Sequence, residues 1–199
     1  MIKFLTAAVL LAVLATGAQA QPLTVDVFNF AGVAGQGPGT DTGTSINFAA
    51  PGATLAGSFA SSNASFGASF SEFGLSTQFG MDVQGSLSVA STGVYSLTIS
   101  SDDGSYLYVD GALTVSDGGG HGAFAVTNPA VSLTAGLHPF ALQFYQGGGG
   151  DELDFAPPAG ITFAPGPIVP ELSASGVTVP LFFSIGGMLL FEKRRKHLA

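Results

Sequence analysis

Two adjacent aspartates, Asp102 and Asp103, sit in the run Ser101-Asp102-Asp103-Gly104-Ser105 and are the residues of this chain best suited to chemistry. Side-by-side carboxylates can hold a hard cation such as Ca2+, which takes six to eight oxygens at about 2.3–2.6 Å. Neighbours on an extended strand point to opposite faces, so these two can converge on one ion only if the backbone turns both the same way. The same run is also good turn chemistry with no ligand, because Asp bonds to nearby backbone and Gly tolerates unusual dihedrals. Both readings stand at this level.

The distribution of charge bears on the choice. The five basic residues are Lys3, Lys193, Arg194, Arg195 and Lys196, so residues 21–176 contain no Lys or Arg. Of thirteen acidic residues only Glu192 lies outside that stretch, leaving twelve within it. Phosphate binding needs cations, and nucleic acid is therefore excluded as a partner. Lys and Arg are likewise missing as salt-bridge partners for any partly buried carboxylate, which leaves water, backbone amides and bound cations to settle it. For a single Asp, simple solvation at the surface is the plain alternative. The absence of Cys removes disulfides, thiolate sites and redox chemistry.

His121, in Gly-Gly-Gly-His-Gly, is a candidate ligand contact or a loop histidine bonded to backbone, and His138 precedes Pro139 at a strand entrance as a structural residue. Neither has the context of a Ser-His-Asp triad. No carboxylates are arranged as in glycoside hydrolysis, so the chain reads as a non-enzyme.

The elements that must position these residues are strands. Leu23, Val25 and Val27 alternate with polar residues, and Tyr95, Leu97 and Ile99 share one face of a second strand. Asp110-Gly111 is a tight hairpin turn between two further strands. Phe140, Leu142 and Phe144 oppose Ala141, Gln143 and Tyr145, after a turn at Thr134–Pro139. Residues 46–80 scatter Phe among Ser, Ala and Gly, which predicts short edge strands and long loops. The glycine loop at 147–150 leads to an expected last strand. The whole predicts an all-β antiparallel sandwich or barrel of about eight or more strands, with helix only at the two hydrophobic ends.

Those ends read as processing segments. Residues 1–20 carry Lys3, an apolar run and Ala18-Gln19-Ala20, the pattern of a signal peptide with Gln21 as the mature start. Residues 21–163 form the β domain and residues 164–176 a Pro-rich linker. Residues 177–191 are apolar but shorter than the ~20 residues of a comfortable membrane helix, and the basic Lys193, Arg194, Arg195 and Lys196 after them fit the cytoplasmic side of an inner membrane. The tail at 177–199 is thus expected to be transiently or marginally inserted.

From Met81 to Phe155 the succession Gly-Val-Tyr, Ser-Asp-Asp-Gly-Ser, Leu-Tyr-Val-Asp-Gly, Gly-His and Ala-Gly-Leu-His resembles the PA14 domain. Before Gly80 the resemblance rests on the opening strand alone. It implies an antiparallel β-sandwich or barrel, found beside glycosidases, in toxins and in sugar-binding adhesins. In the adhesin branch two adjacent aspartates joined by a cis peptide bind calcium, and the calcium binds sugar hydroxyls; Asp102 and Asp103 stand on that motif. The resemblance implies that further oxygens come from the loop Gln146–Asp154, with Asp151 as a third carboxylate and Gly149 and Gly150 letting backbone approach a ligand. The chain departs from that branch in having no Trp and no Asn in this loop.

The C-terminal stretch resembles a PEP-CTERM sorting signal, with Pro170-Glu171, an apolar segment and a basic cluster; Leu172 stands where a second proline is usual. That implies processing by an exosortase-type enzyme in a Gram-negative bacterium that makes exopolysaccharide. Together the resemblances imply an exported cell-surface or matrix module that binds glycan through Ca2+. The alternative is a structural matrix or adhesion protein with no specific sugar ligand.

Overall fold

The computed structural model describes residues 22–33, 41–68 and 71–165, and within them the chain forms strands and no helix. In chain order the strands are β1 (Leu23–Asn29), β2 (Thr54–Ser61), β3 (Ala64–Ala68), β4 (Phe79–Val89), β5 (Gly93–Asp102) and β6 (Ser105–Val109), then β7 (Ala112–Asp117), β8 (Phe124–Leu133), β9 (Gly136–Gln146), β10 (Glu152–Phe155) and β11 (Ile161–Ala164). A seven-stranded sheet runs β2-β1-β4-β9-β6-β7 with β11 also on β4, and a four-stranded sheet runs β3-β10-β5-β8. Every strand pairing is antiparallel.

Alternation builds the core between the sheets. Val25, Val27, Met81, Val83, Leu107, Leu142 and Phe144 of the larger sheet pack with Leu97, Ile99, Leu153 and Phe155 of the smaller in one buried cluster. Phe140 of β9 crosses the interface, its ring centroid 5.8 Å from Phe155 and 5.6 Å from Phe163. β4 is buried on both faces, because a second cluster of Phe30, Ile46, Phe48, Tyr106 and Tyr145 lies apart from the first. Gly80 shows why: a Cβ there would come within 2.6 Å of the Phe30 ring and 2.9 Å of the Phe144 carbonyl oxygen.

β1 and β11 share one side of β4 and lie end to end along it. Thr24 pairs Gln84 at the start of β1, and Ala164 pairs Ser86 at the end of β11.

Residues 46–80 supply β2 and β3, both edge strands, as their composition predicts. The hairpin closes at Asp110 and Gly111, with φ of 54° and 77°, the two positive angles of a type I′ turn. Two expectations need correction. Strand β10 is followed by β11 and is not the last. The stretch read as a turn at Thr134–Pro139 is already strand from Gly136, so His138 lies inside β9 and not at its entrance. Its ladder with Leu87 of β4 holds that segment extended.

His138 is buried, with Nδ1 2.7 Å from Asp110 Oδ2 and Nε2 2.9 Å from the Thr134 carbonyl. Both ring nitrogens face acceptors, which suits the imidazolium. The hydrogen bond to Asp110 raises the His138 pKa above its ordinary value, against an opposing effect of burial. A raised folded-state pKa gives stability that is complete below the unfolded value and is lost as pH rises through the folded one. We expect the melting-temperature difference between the native protein and His138→Gln to be largest near pH 5.5 and to shrink toward pH 9. A constant difference in a pH series of thermal melts would refute this.

Candidate cation and ligand site

The β5–β6 turn and the β9–β10 loop meet at one end of the sandwich. β10 pairs β5 with Glu152 opposite Asp102, which sets the glycine loop directly against the two aspartates. The Asp102–Asp103 peptide is cis. Asp103 is 8% exposed; its Oδ1 accepts the His121 N–H at 2.9 Å and its Oδ2 accepts the Gly147 N–H at 2.7 Å. One carboxylate therefore ties three loops together, and each of its oxygens keeps further acceptor capacity.

Asp102 is half-buried beside it. Burial, then the facing Asp103 and then Asp151 push its carboxyl above the ordinary carboxylate range, while His121 and the Ala123 backbone oppose them. Crowded negative charge of this kind is relieved by a proton or by a cation. Asp151 is buried at 6% exposure and reaches Asp102 through its charge. Among the described residues, no three His, Asp or Glu side chains converge as a metal cluster.

The glycines divide by role. A Cβ on Gly150 would lie 2.9 Å from Asp102 Oδ2, and one on Gly147 would lie 3.2 Å from Asp103 Oδ2. These two bring backbone against the carboxylates, whereas Gly149, with φ of 103°, faces open space and serves the turn. Gln146 pins the loop by donating from Nε2 to the Gly150 carbonyl at 2.6 Å. Its Oε1 is buried with no hydrogen-bond partner. Two crowded carboxylates with glycine backbone close against them, and an orphaned buried acceptor on Gln146 where the glycine loop begins, offer oxygen donors of the kind calcium takes.

The loop Gln146–Asp154 was legible as a partner of the Asp pair, though not the roles of Gln146 and Gly147 within it; Asp117 escaped sequence reasoning altogether. Asp117 is buried, accepts from Ser101 Oγ at 3.0 Å, and has His121 Nε2 3.3 Å from its Oδ1. Burial pushes its carboxyl upward, against the Ser101 hydrogen bond and His121. His121 so holds Asp103 with its backbone and Asp117 with its ring. The signal-peptide reading of residues 1–20, Pro170, Glu171 and the tail with Lys193, Arg194, Arg195 and Lys196 lie outside the described residues. Among those described, no helix is long and apolar enough to cross a membrane.

No curated protein matches the chain. Among solved structures, an anti-sigma factor domain-containing protein aligns at 13% identity and a TM-score of 0.53, over 75% of this chain and 48% of that one, so the chain spans about half of that relative's length. A PA14 sugar-binding domain from an RTX adhesin aligns at 19% identity and 0.51, over 67% and 87%. The epithelial adhesin 6 A domain of Candida glabrata, in complex with Galb1-3GlcNAc, aligns at 13% identity and 0.50, over 73% and 84%. At these identities the likeness is one of fold. The model of the PA14 domain matches residues 41–167, more than half of the sequence, and the chain belongs to the PA14 domain family.

Proposed function

We propose that this protein is a non-catalytic, exported module of the cell surface or extracellular matrix that binds carbohydrate through a calcium ion held at Asp102 and Asp103. The observation that carries the reading is the pair itself: two adjacent carboxylates, Asp102 crowded by its neighbour and lying close under Gly150, and Asp103 tied to both neighbouring loops. Asp102, Asp103, Gln146 Oε1 and carbonyls of residues 147–150 would hold the ion, with Asp151 adding negative charge. A bound calcium supplies positive charge and open coordination positions to vicinal sugar hydroxyls. The protein's own part is to hold the two carboxylates in place, to keep Gly150 free of a side chain that would fill the approach, and to set His121 at the margin.

The structural likeness to a sugar-binding domain and to an adhesin bound to a disaccharide supports the glycan class. The apolar tail with its basic cluster supports export and sorting by an exosortase-type enzyme at a Gram-negative inner membrane. Screening the protein on a glycan array, once in calcium and once in EDTA, tests the reading. Binding present in calcium and lost in EDTA is expected; binding in neither condition would leave a structural matrix protein.

A further inference from the structure

A groove distinct from the Asp102–Asp103 pair lies against the 117–124 loop. β7 ends the larger sheet and β8 ends the smaller, and the two strands adjoin with Asn128 Nδ2 donating to the Thr114 carbonyl at 2.9 Å. An open groove of about 550 Å3 lies at this seam, lined by Asp41, Tyr106, Asp117, Gly119, Phe124 and Val126 among others. Neither Asp102 nor Asp103 is part of its lining. Its size falls within the ~300–1,000 Å3 of small-molecule sites.

The groove has a fixed acidic side. The Tyr106 hydroxyl donates to Asp41 Oδ1, and the Gly119 N–H donates to Asp41 Oδ2 at 2.8 Å, which sets the plane of that carboxylate. Asp117 is held by Ser101, which in turn shares a hydrogen bond of 2.7 Å with Ser105. The described residues contain no Lys or Arg to neutralise the groove, and the His121 ring lies beside Asp117. Opposite chemistry comes from Phe124, 48% exposed although it is a large apolar side chain. Its ring centroid lies 4.4 Å from that of His121, so the ring is braced at the groove and is not free to fold away.

An oriented, half-buried carboxylate at Asp41, with the buried Asp117 behind it, favours a ligand with donors and positive charge, and an exposed braced ring favours one with a flat apolar face. A protonated amino sugar has both; an uronate has the wrong charge. We propose that this groove is a second, calcium-independent binding site for amino-bearing pyranose units of a cationic polysaccharide, with the ammonium set against Asp41, the buried Asp117 adding negative charge behind it, and a sugar face on Phe124. The site does not depend on the calcium reading.

The test is isothermal titration of the whole protein in EDTA with fully deacetylated glucosamine oligomers. Their N-acetylated counterparts and oligogalacturonate serve as comparison probes. The deacetylated oligomers are expected to bind, the acetylated ones at least about tenfold more weakly, and the uronate not at all. Phe124→Ala and Asp41→Asn should each weaken binding about tenfold or more, while Asp26→Asn, on β1 away from the groove, should not. Because Phe124 is exposed, its replacement leaves the fold intact, which a thermal melt verifies. Absence of binding to the deacetylated oligomers in EDTA would overturn the proposal. So would binding that Asp26→Asn weakens as much as Asp41→Asn and Phe124→Ala do, since that marks general attraction to an acidic surface.

Discussion

If calcium is held as proposed, replacing Asp102 and Asp103 together by Asn is expected to abolish the stabilisation that the ion would confer. In the unmutated chain, free calcium a hundredfold above the dissociation constant would add ~2.7 kcal/mol. For a domain of this size that raises the melting temperature by roughly 5–10 °C, at about 2–4 °C per kcal/mol. The single variants separate the roles. Asp102→Asn removes a carboxylate that burial and Asp103 already disfavour, so in EDTA it should be at least as stable as the parent. Asp103→Asn keeps one carbonyl oxygen where two backbone N–H groups, of His121 and Gly147, now find acceptors. Leaving one donor unpaired costs about 1–3 kcal/mol, and the loss appears without calcium. Calorimetric melts in calcium and in EDTA measure all of this. Identical melting temperatures for the unmutated protein in the two buffers would end the calcium reading.

The second large effect is expected at Phe140. Its ring, 1% exposed, stands between Phe155 of the smaller sheet and Phe163 of β11, which are themselves 5.8 Å apart. Phe140→Ala removes the link among three strands and leaves a cavity, at a cost of about 3–5 kcal/mol. The damage should spread along β10, only four residues long, to the loop that begins it. We therefore expect Phe140→Ala to lower stability in urea melts and to weaken calcium binding although it touches no ligand. Phe140→Leu should recover most of both, because it restores volume without a polar group. A destabilisation below about 1 kcal/mol for Phe140→Ala would mean that the two sheets hold together by other contacts.

Much of this was legible in the residues, and the exceptions have a common cause. Tyr95, Leu97 and Ile99 alternate because one face of β5 is buried, and Asp110-Gly111 closes a hairpin because both positions take positive φ. Such signals are local. Strands β2 and β3 carry weaker ones, since each is a sheet edge and β2 stays largely exposed, with little burial to impose a period. Thr134–Pro139 looked like a turn through its Gly and Pro, but pairing with β4 overrode local preference and drew His138 into β9. At the site the Asp pair was visible, whereas the hydrogen bonds of Asp103 to residues 18 and 44 positions away were not. The groove at Asp41 depends on a contact with Tyr106 across 65 positions, which no spacing rule reaches.

The end-to-end placement of β1 and β11 has an architectural consequence. At the start of β1 and the end of β11, only the width of Gly85 separates the β4 partners of Thr24 and Ala164, Gln84 and Ser86. A host protein could thus carry these strands as an inserted cassette in a surface loop without spreading the loop's two stems, and a short peptide joining Ala164 to Leu23 would permit circular permutation. A new start cut into the exposed hairpin at Gly111 is the natural place to try it.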